Sequence, residues 1–99
     1  MVKVNADKLE RIAFILKTVA HPIRLGIVEL LETHGKLCVG EICTKLSTEQ
    51  SLTSHHLANM KLKGLLNARR EGKNVYYSIK EKEITSIISC LEHCNCNRG

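Results

Sequence analysis

Residues 47–79 constrain the fold of this chain more than any other segment, because a polar helix is followed there by a short basic hairpin. The first part reads STEQSLTSHHLANMKLKGLL, with helical spacing and a stop at Gly64. The second part reads NARREGKNVYYSI and alternates as two strands about a predicted turn at Glu71-Gly72. The segment therefore predicts a helix followed by a two-stranded wing.

Four further helices are predicted by apolar residues at helical spacing and by the Pro22 and Gly35 boundaries. The predicted helices are 6–19, 23–34, 39–46, about 47–63 and from about 80 onward; the strands are 67–70 and 74–79. Ser47 or Thr48 is expected to cap the fourth helix, and Ser47 with Gln50 fits a capping box. The order α-α-α-α-β-β-α is mainly α with a β-hairpin wing. It predicts one winged helix-turn-helix domain over residues 1–99, with the helix-turn-helix and wing in 38–79.

The charge of the chain favours a polyanionic partner, since its 99 residues carry a formal net charge of +5. The basic residues near the helix and hairpin are Lys61, Lys63, Arg69, Arg70 and Lys73. Only three aromatic residues occur, so stacking on single strands is not favoured. No apolar run approaches the roughly 20 residues of a membrane span, and the charged start is no signal peptide. We expect a cytoplasmic protein without a membrane partner.

The polar helix has one face suited to DNA. A helical wheel with Leu52 pointing inward places His56, Leu57 and Met60 on the same inward side. Glutamine can pair with adenine and serine can reach base edges or phosphates, while the basic wing suits phosphates. Double-stranded DNA is therefore the predicted partner, and no protein partner is implied. The predicted DNA-contacting residues are Gln50, Ser51, Thr53, Ser54, His55, Lys61, Arg69, Arg70 and Lys73.

The chain resembles the ArsR/SmtB family of winged-helix repressors over about 9–96. The matching segments are LKTVAHPIRLGIVELL, CVGEICTKL, STEQSLTSHHLANMKLKGLL and RREGKNVYYSI. The resemblance implies a homodimer formed by the first and last helices, in 1–20 and 80–96. It also implies binding to operator DNA near the protein's own promoter, with release on ligand binding or thiol modification.

The three cysteines near the end form the first candidate effector site. Cys90 and Cys94 are an i, i+4 pair, so on a helix their Cβ atoms lie roughly 5–6 Å apart, and Cys96 follows closely. Three convergent thiolates suit a soft ion such as arsenite, antimonite, cadmium or zinc. The bland interpretation of the same residues is a dimer-interface helix with incidental cysteines.

Cys38 and Cys43 form a less favoured second site. Soft-metal sensors of the resembled family carry an LCVCDLC-like stretch, whereas this chain reads LCVGEIC, with Gly40 at the central cysteine. Cys43 is expected to pack as a small core residue. The family's zinc-site positions hold Glu81, Glu83, Cys94 and Asn97, with no histidine. The early cysteine of its dithiol sensors is matched by Glu29.

The leading functional prediction is a dimeric repressor released from operator DNA when cysteine thiolates bind a soft metal or metalloid. The alternative is the same repressor controlled by thiol oxidation or persulfidation of the C-terminal cysteines, with a bridge to Cys38 left open. An enzyme is not expected, because the sequence has no C-x-x-C pair, nucleophile elbow or glycine-rich phosphate loop. A DNA binder indifferent to thiol ligands is a further alternative.

Overall fold

A computed structural model describes the backbone of residues 5–93, and the side chains of 5–87 and of Ser89. Its elements run in the order α1 (Ala6–Val19), α2 (Pro22–His34), β1 (Lys36–Cys38), α3 (Val39–Leu46), α4 (Gln50–Leu62), β2 (Leu66–Glu71), β3 (Asn74–Ile79) and α5 (Lys82–His93). The three strands form an antiparallel sheet in the order β1-β3-β2. The predicted fold class, mainly helical with a β-hairpin wing, is confirmed. No helix of the described residues is long and apolar enough to cross a membrane.

One hydrophobic core joins the helices to the base of the wing. Isoleucines from α2, α3 and α5 have no exposed surface, so these helices share a single packed centre. Its buried apolar residues are Ile15, Val19, Ile27, Val28, Leu31, Leu37, Ile42, Leu57, Met60, Leu65, Leu66 and Ile84. Tyr77 of β3 is partly buried and packs against this core.

The first strand of the sheet is absent from the sequence-based prediction. β1 has three residues, which pair antiparallel with β3 so that Cys38 lies opposite Tyr76. A segment this short carries no readable alternation, and only its pairing with β3 makes it a strand. The predicted hairpin turn is also wrong by one residue. Glu71 belongs to β2 and pairs with Asn74, so the turn is Gly72-Lys73, with Gly72 at a φ of 66°.

The predicted capping box at Ser47 is wrong. Ser47 has a left-handed backbone with a φ of 56° and closes α3, donating its N–H to the Cys43 carbonyl. Glu49 is the N-cap of α4 and makes no side-chain cap hydrogen bond. The last helix likewise starts later than predicted, at Lys82, because the N–H groups of Lys80 and Glu81 both donate to the Leu65 carbonyl.

Candidate nucleic-acid interface

The outer face of α4 presents the polar side chains that the sequence assigned to DNA. Gln50, Ser51 and His55 are exposed and Ser54 is partly buried. The inward face follows helical spacing through four buried residues, which are Thr53, His56, Leu57 and Met60. This stripe fixes the rotation of the helix, and it leaves Gln50, Ser51, Ser54 and His55 as an outer surface, here called the reading face.

Thr53 is the exception among the predicted contacts. Its side chain is fully buried, and its hydroxyl lies 2.7 Å from the Thr48 hydroxyl in the turn between α3 and α4. A side chain with no exposed surface cannot reach a duplex, so the assignment of Thr53 to DNA is wrong. The prediction that Leu52 points inward is also wrong, since Leu52 is 42% exposed. A hydroxyl whose hydrogen bond is satisfied can replace an apolar side chain in a core.

His56 holds the reading face to the rest of the domain, as its expected packed position predicts. Its Nδ1 accepts a hydrogen bond from the Arg24 Nε of α2 at 2.9 Å, and only 6% of the residue is exposed. Burial lowers the pKa of His56 below the ordinary histidine value, and the nearby Arg24, His21 and His55 lower it further. The Arg24 contact was not predicted from the sequence, because the two partners lie 32 positions apart along the chain.

The wing carries exposed cations and one acidic residue, Glu71, whose carboxylate is paired with a lysine. Arg69, Arg70 and Lys73 are all exposed on or beside the hairpin, as is Lys61 in the last turn of α4. Glu71 lies among the wing cations, but the Lys36 ammonium contacts its two carboxylate oxygens at 2.7 and 3.0 Å.

Lys36 belongs to β1, and its Nζ also lies 5.2 Å from the centre of the Tyr76 ring. The ion pair therefore connects β1 to the outer end of the wing. The pairing of Lys36 with Glu71 was not predicted from the sequence, because it depends on the unpredicted strand β1.

Cys38 is the N-cap of α3, and its backbone is hydrogen-bonded to the first turn of that helix. Its N–H donates to Glu41 Oε1 at 3.0 Å. Hydrogen bonds from the Cys38 backbone and thiol lower the pKa of the Glu41 carboxyl, and Lys45 and His34 add to this effect. Cys43, expected in the core, is partly buried, as is Cys38.

The three cysteines favoured as effector ligands lie largely outside the described residues. The Cys90 side chain, Cys94 and Cys96 lie outside the described residues, and only the backbone of Cys90 is placed, within α5. Among the described residues, no group of three or more histidine, cysteine or acidic side chains is arranged to hold a metal ion. The positions of Cys90, Cys94 and Cys96 as ligands remain a prediction from the sequence.

Comparison with known proteins finds a matching family model and similar proteins that cover most of the chain. The family model described as "Bacterial regulatory protein, arsR family" matches residues 21–68. The transcriptional repressor PagR of Bacillus anthracis is 42% identical over 89 residues, which are 90% of this chain and 89% of PagR. The crystal structure of PagR has a TM-score of 0.78 at 41% identity, covering 88% of this chain and 99% of PagR.

Two further similar proteins come from other bacteria. The arsenical resistance operon repressor of Escherichia coli (strain K12) is 45% identical over 65 residues, which are 66% of this chain and 56% of that repressor. The structure of reduced HlyU from Vibrio cholerae has a TM-score of 0.80 at 33% identity, covering 93% of this chain and 97% of HlyU. These relatives are transcriptional regulators, not enzymes. The chain described here therefore belongs to the ArsR family, as a winged-helix DNA-binding transcriptional repressor.

Proposed function

We propose that this chain is a homodimeric repressor that binds operator DNA through α4 and the wing. It releases the operator when its C-terminal cysteine thiolates bind a soft metal or metalloid, such as arsenite, antimonite, cadmium or zinc. The observation that carries the DNA half is the rotation of α4, which buries His56, Leu57 and Met60 and leaves the reading face exposed. The protein would act in the cytoplasm on double-stranded DNA.

The reading face and the wing have different tasks in this proposal. Gln50, Ser51, Ser54 and His55 lie in the first half of α4, the part of a recognition helix that enters the major groove. Their amide, hydroxyl and imidazole groups reach base edges and nearby phosphates. Lys61 and the wing cations Arg69, Arg70 and Lys73 contact phosphates, which fixes the position of the protein without specifying sequence.

A matched set of variants tests this division. A duplex selected from a random pool serves as operator, and a scrambled duplex of equal length serves as control. Gln50→Ala should reduce the preference for the selected duplex, by about 1–3 kcal/mol if Gln50 makes a bidentate base contact. Lys73→Ala should weaken both duplexes about equally. Lys82→Ala removes the same charge from an exposed residue at the start of α5, outside α4 and the hairpin, and should change neither. Unchanged selectivity in Gln50→Ala would show that α4 is read in a different register.

The homodimer is supported by large apolar side chains of α1 that remain substantially exposed in the part of the chain that the structure describes. Leu9, Phe14 and Leu16 are 53%, 45% and 43% exposed, although their neighbour Ile15 is fully packed. Large apolar side chains grouped on one exposed helix indicate an interaction surface. Leu16→Glu should therefore produce a monomer in sedimentation experiments and lose affinity for a two-half-site operator. A Leu16→Glu protein that stays dimeric would place the dimer interface elsewhere.

The effector half of the proposal is supported by the spacing of the C-terminal cysteines and by α5 itself. Cys90 belongs to α5, which is anchored to the core through Ile84. A ligand that draws Cys90, Cys94 and Cys96 together would bend or extend the end of this helix. Because α5 is also proposed to form the dimer interface, its rearrangement would change the spacing of the two reading faces. A similar repressor is named for arsenical resistance, which favours a thiophilic metalloid as the effector.

An anaerobic titration of the reduced protein with arsenite tests the effector. We expect about three thiols to be lost per bound arsenic, with both thiol loss and operator release abolished by Cys90→Ser or Cys94→Ser. Cys38→Ser and Cys43→Ser are the matched controls and should bind arsenic normally. A loss of binding in these two variants instead would move the site to the start of α3. No tight arsenite binding would remove metalloid sensing from the proposal.

The second candidate function is a thiol-redox or persulfide response through the same C-terminal cysteines. The specific observation in its favour is the relative HlyU, whose structure is described as that of the reduced protein. Metal-free oxidation would then release the operator, and a reductant would restore binding. A chelator would have no effect on this switch, whereas it would reverse release by a bound metal.

A further inference from the structure

A group of three side chains beneath the reading face joins α1, α2 and α4. The Arg24 guanidinium donates from Nε to His56 Nδ1 at 2.9 Å, and from Nη1 to the Thr18 carbonyl at 3.0 Å. The His21 ring lies 4.5 Å from the His56 ring, centre to centre. One cation on α2 thus holds the end of α1 and the middle of α4 in a fixed relation.

The hydrogen bond from Arg24 is compatible with only one charge state of His56. A guanidinium has donors and no acceptor, so His56 Nδ1 must offer its lone pair and carry no proton. The neutral ring then carries its hydrogen on Nε2. A protonated His56 would turn an N–H toward Arg24, and both groups would be donors with positive charge.

Among the described residues, the charged or titratable groups that act on His56 all disfavour its protonated form. The charged or titratable groups acting on it are Arg24 and His21, from α2 and its N-cap, and His55, from α4; α1 contributes the Thr18 carbonyl through Arg24. His21 also uses its Nδ1 as an acceptor, from the Ile23 N–H at 3.1 Å, to cap α2. Burial and these neighbours lower the pKa of His56.

From these contacts we infer that Arg24, His21 and His56 form a positioning triad for the reading helix, which works only with a neutral His56 and makes operator binding acid-sensitive. The inference rests on the proposed function, since it assumes that α4 reads DNA. Protonation breaks the Arg24–His56 bond and places a cation between Arg24 and His21. The helix then loses its fixed orientation on α2, and Ser54 and His55 lose their alignment with base edges.

The sign of the pH effect follows from the folded and unfolded states. His56 binds a proton less readily in the folded protein than in the unfolded chain, so falling pH favours the unfolded state below the ordinary histidine pKa. The affinity for operator DNA should also decrease as pH falls, approaching a tenfold loss per pH unit once His56 becomes protonated. His55 lies next to His56 on the reading face, with its ring centre 6.0 Å from that of His56, so its imidazole is removed to isolate the effect of His56. The measurement is therefore made in a His55→Gln protein.

The test compares His55→Gln with the double variant His55→Gln/His56→Gln on the selected duplex, from about pH 8 to about pH 5. Glutamine at 56 can accept the Arg24 hydrogen bond through its amide oxygen but cannot be protonated. We expect the two proteins to bind the duplex with equal affinity at the highest pH. At the lowest pH, only the single variant should lose affinity, by tenfold or more. An equal acid loss in both proteins would overturn the inference. His34→Gln, which changes an exposed histidine at the end of α2, serves as the control and should retain the wild-type profile.

A measurement without DNA separates this inference from the proposed function. Nitrogen-15 NMR of the imidazoles in the full-length protein should show His56 as the Nε2–H form, with Nδ1 unprotonated. A proton on Nδ1 at neutral pH would rule out the triad. If the NMR form is as expected but no duplex binds at any pH, the proposed function and the acid coupling both fail while the triad itself stands.

Discussion

Thr53 offers the sharpest test of how α4 is rotated. The structure buries its side chain completely and pairs its hydroxyl with that of Thr48 at 2.7 Å. Thr53→Val keeps the shape and removes the hydrogen bond. Since Thr48 is only partly buried, water can replace part of the lost contact, and we expect a cost of about 1 kcal/mol in the free energy of unfolding.

Three further substitutions separate the hydroxyl from the methyl group. Thr53→Ser retains the hydrogen bond and loses one methyl, at about 0.8 kcal/mol plus a small cavity term. Thr53→Ala loses both groups, for roughly 2 kcal/mol. Thr48→Val combined with Thr53→Val removes both hydroxyls, and it should cost about 0.5–1 kcal/mol less than the sum of the two single changes.

Urea unfolding at equal protein concentration measures these costs. With a slope of about 1–3 kcal/mol per molar, a loss of 1 kcal/mol lowers the unfolding midpoint by roughly 0.3–1 M. Duplex binding by Thr53→Val, measured where the protein is fully folded, should match the wild type. Ser54→Ala is the matched control, with nearly unchanged unfolding and weaker duplex binding. The reverse pattern, with stable but DNA-deficient Thr53→Val, would refute the rotation of α4 described here.

Three other features lead to direct predictions. Glu71→Gln should strengthen binding to every duplex, and the slope of log binding constant against log salt concentration should become steeper by about 0.9. Lys36→Gln should weaken binding and make that slope shallower. Fluorescence anisotropy titrations over a series of salt concentrations measure the slopes, and unchanged slopes would contradict the prediction. Glu41→Gln should destabilise α3 at neutral pH, since its lowered carboxyl pKa gives stability that is present above the ordinary value of 4.5 and lost as pH falls through the lowered pKa. The difference in melting temperature from wild type should therefore shrink in acid; a constant difference would exclude the charge as its cause. Ile84→Ala should cost about 2–5 kcal/mol and Ile84→Val about 0.5–1.5 in urea unfolding; equal costs would argue against a packed site.

The elements predicted best from the sequence were those with strong local signals. The bounds of α1 and α3 agree with the predicted 6–19 and 39–46. Pro22 and Gly35 delimit α2 for steric reasons that act within a few residues. The wing was recognisable because its strands alternate around Gly72, whose φ of 66° suits glycine. Local chemistry settles these features, so no knowledge of distant contacts was required.

The parts that were missed depend on contacts between distant residues. β1 is a strand only because Lys36, Leu37 and Cys38 meet β3, about 40 residues later along the chain. Thr53 was assigned to DNA because a polar residue on a polar helix is expected to face outward, and its partner Thr48 could not be known. The link between Arg24 and His56 has the same origin. All four members of the reading face were among the residues predicted to contact DNA, because helical spacing indicates the outer side of α4, and Thr53 was the one predicted α4 residue that the structure buries.

The two cysteine groups have different structural routes to the DNA-binding surface, and the difference can be measured. Cys38 pairs with Tyr76 of β3, which pairs in turn with Arg69 of β2, so a ligand on Cys38 would disturb the wing within one protomer. A ligand on the cysteines at the end of α5 would instead change how two protomers are joined. Release through Cys38 should therefore weaken binding to a duplex with a single half-site, because the phosphate contacts of the wing are lost. Release through α5 should leave single half-site binding intact and weaken only the complete operator, because each reading face keeps its own structure while their spacing changes.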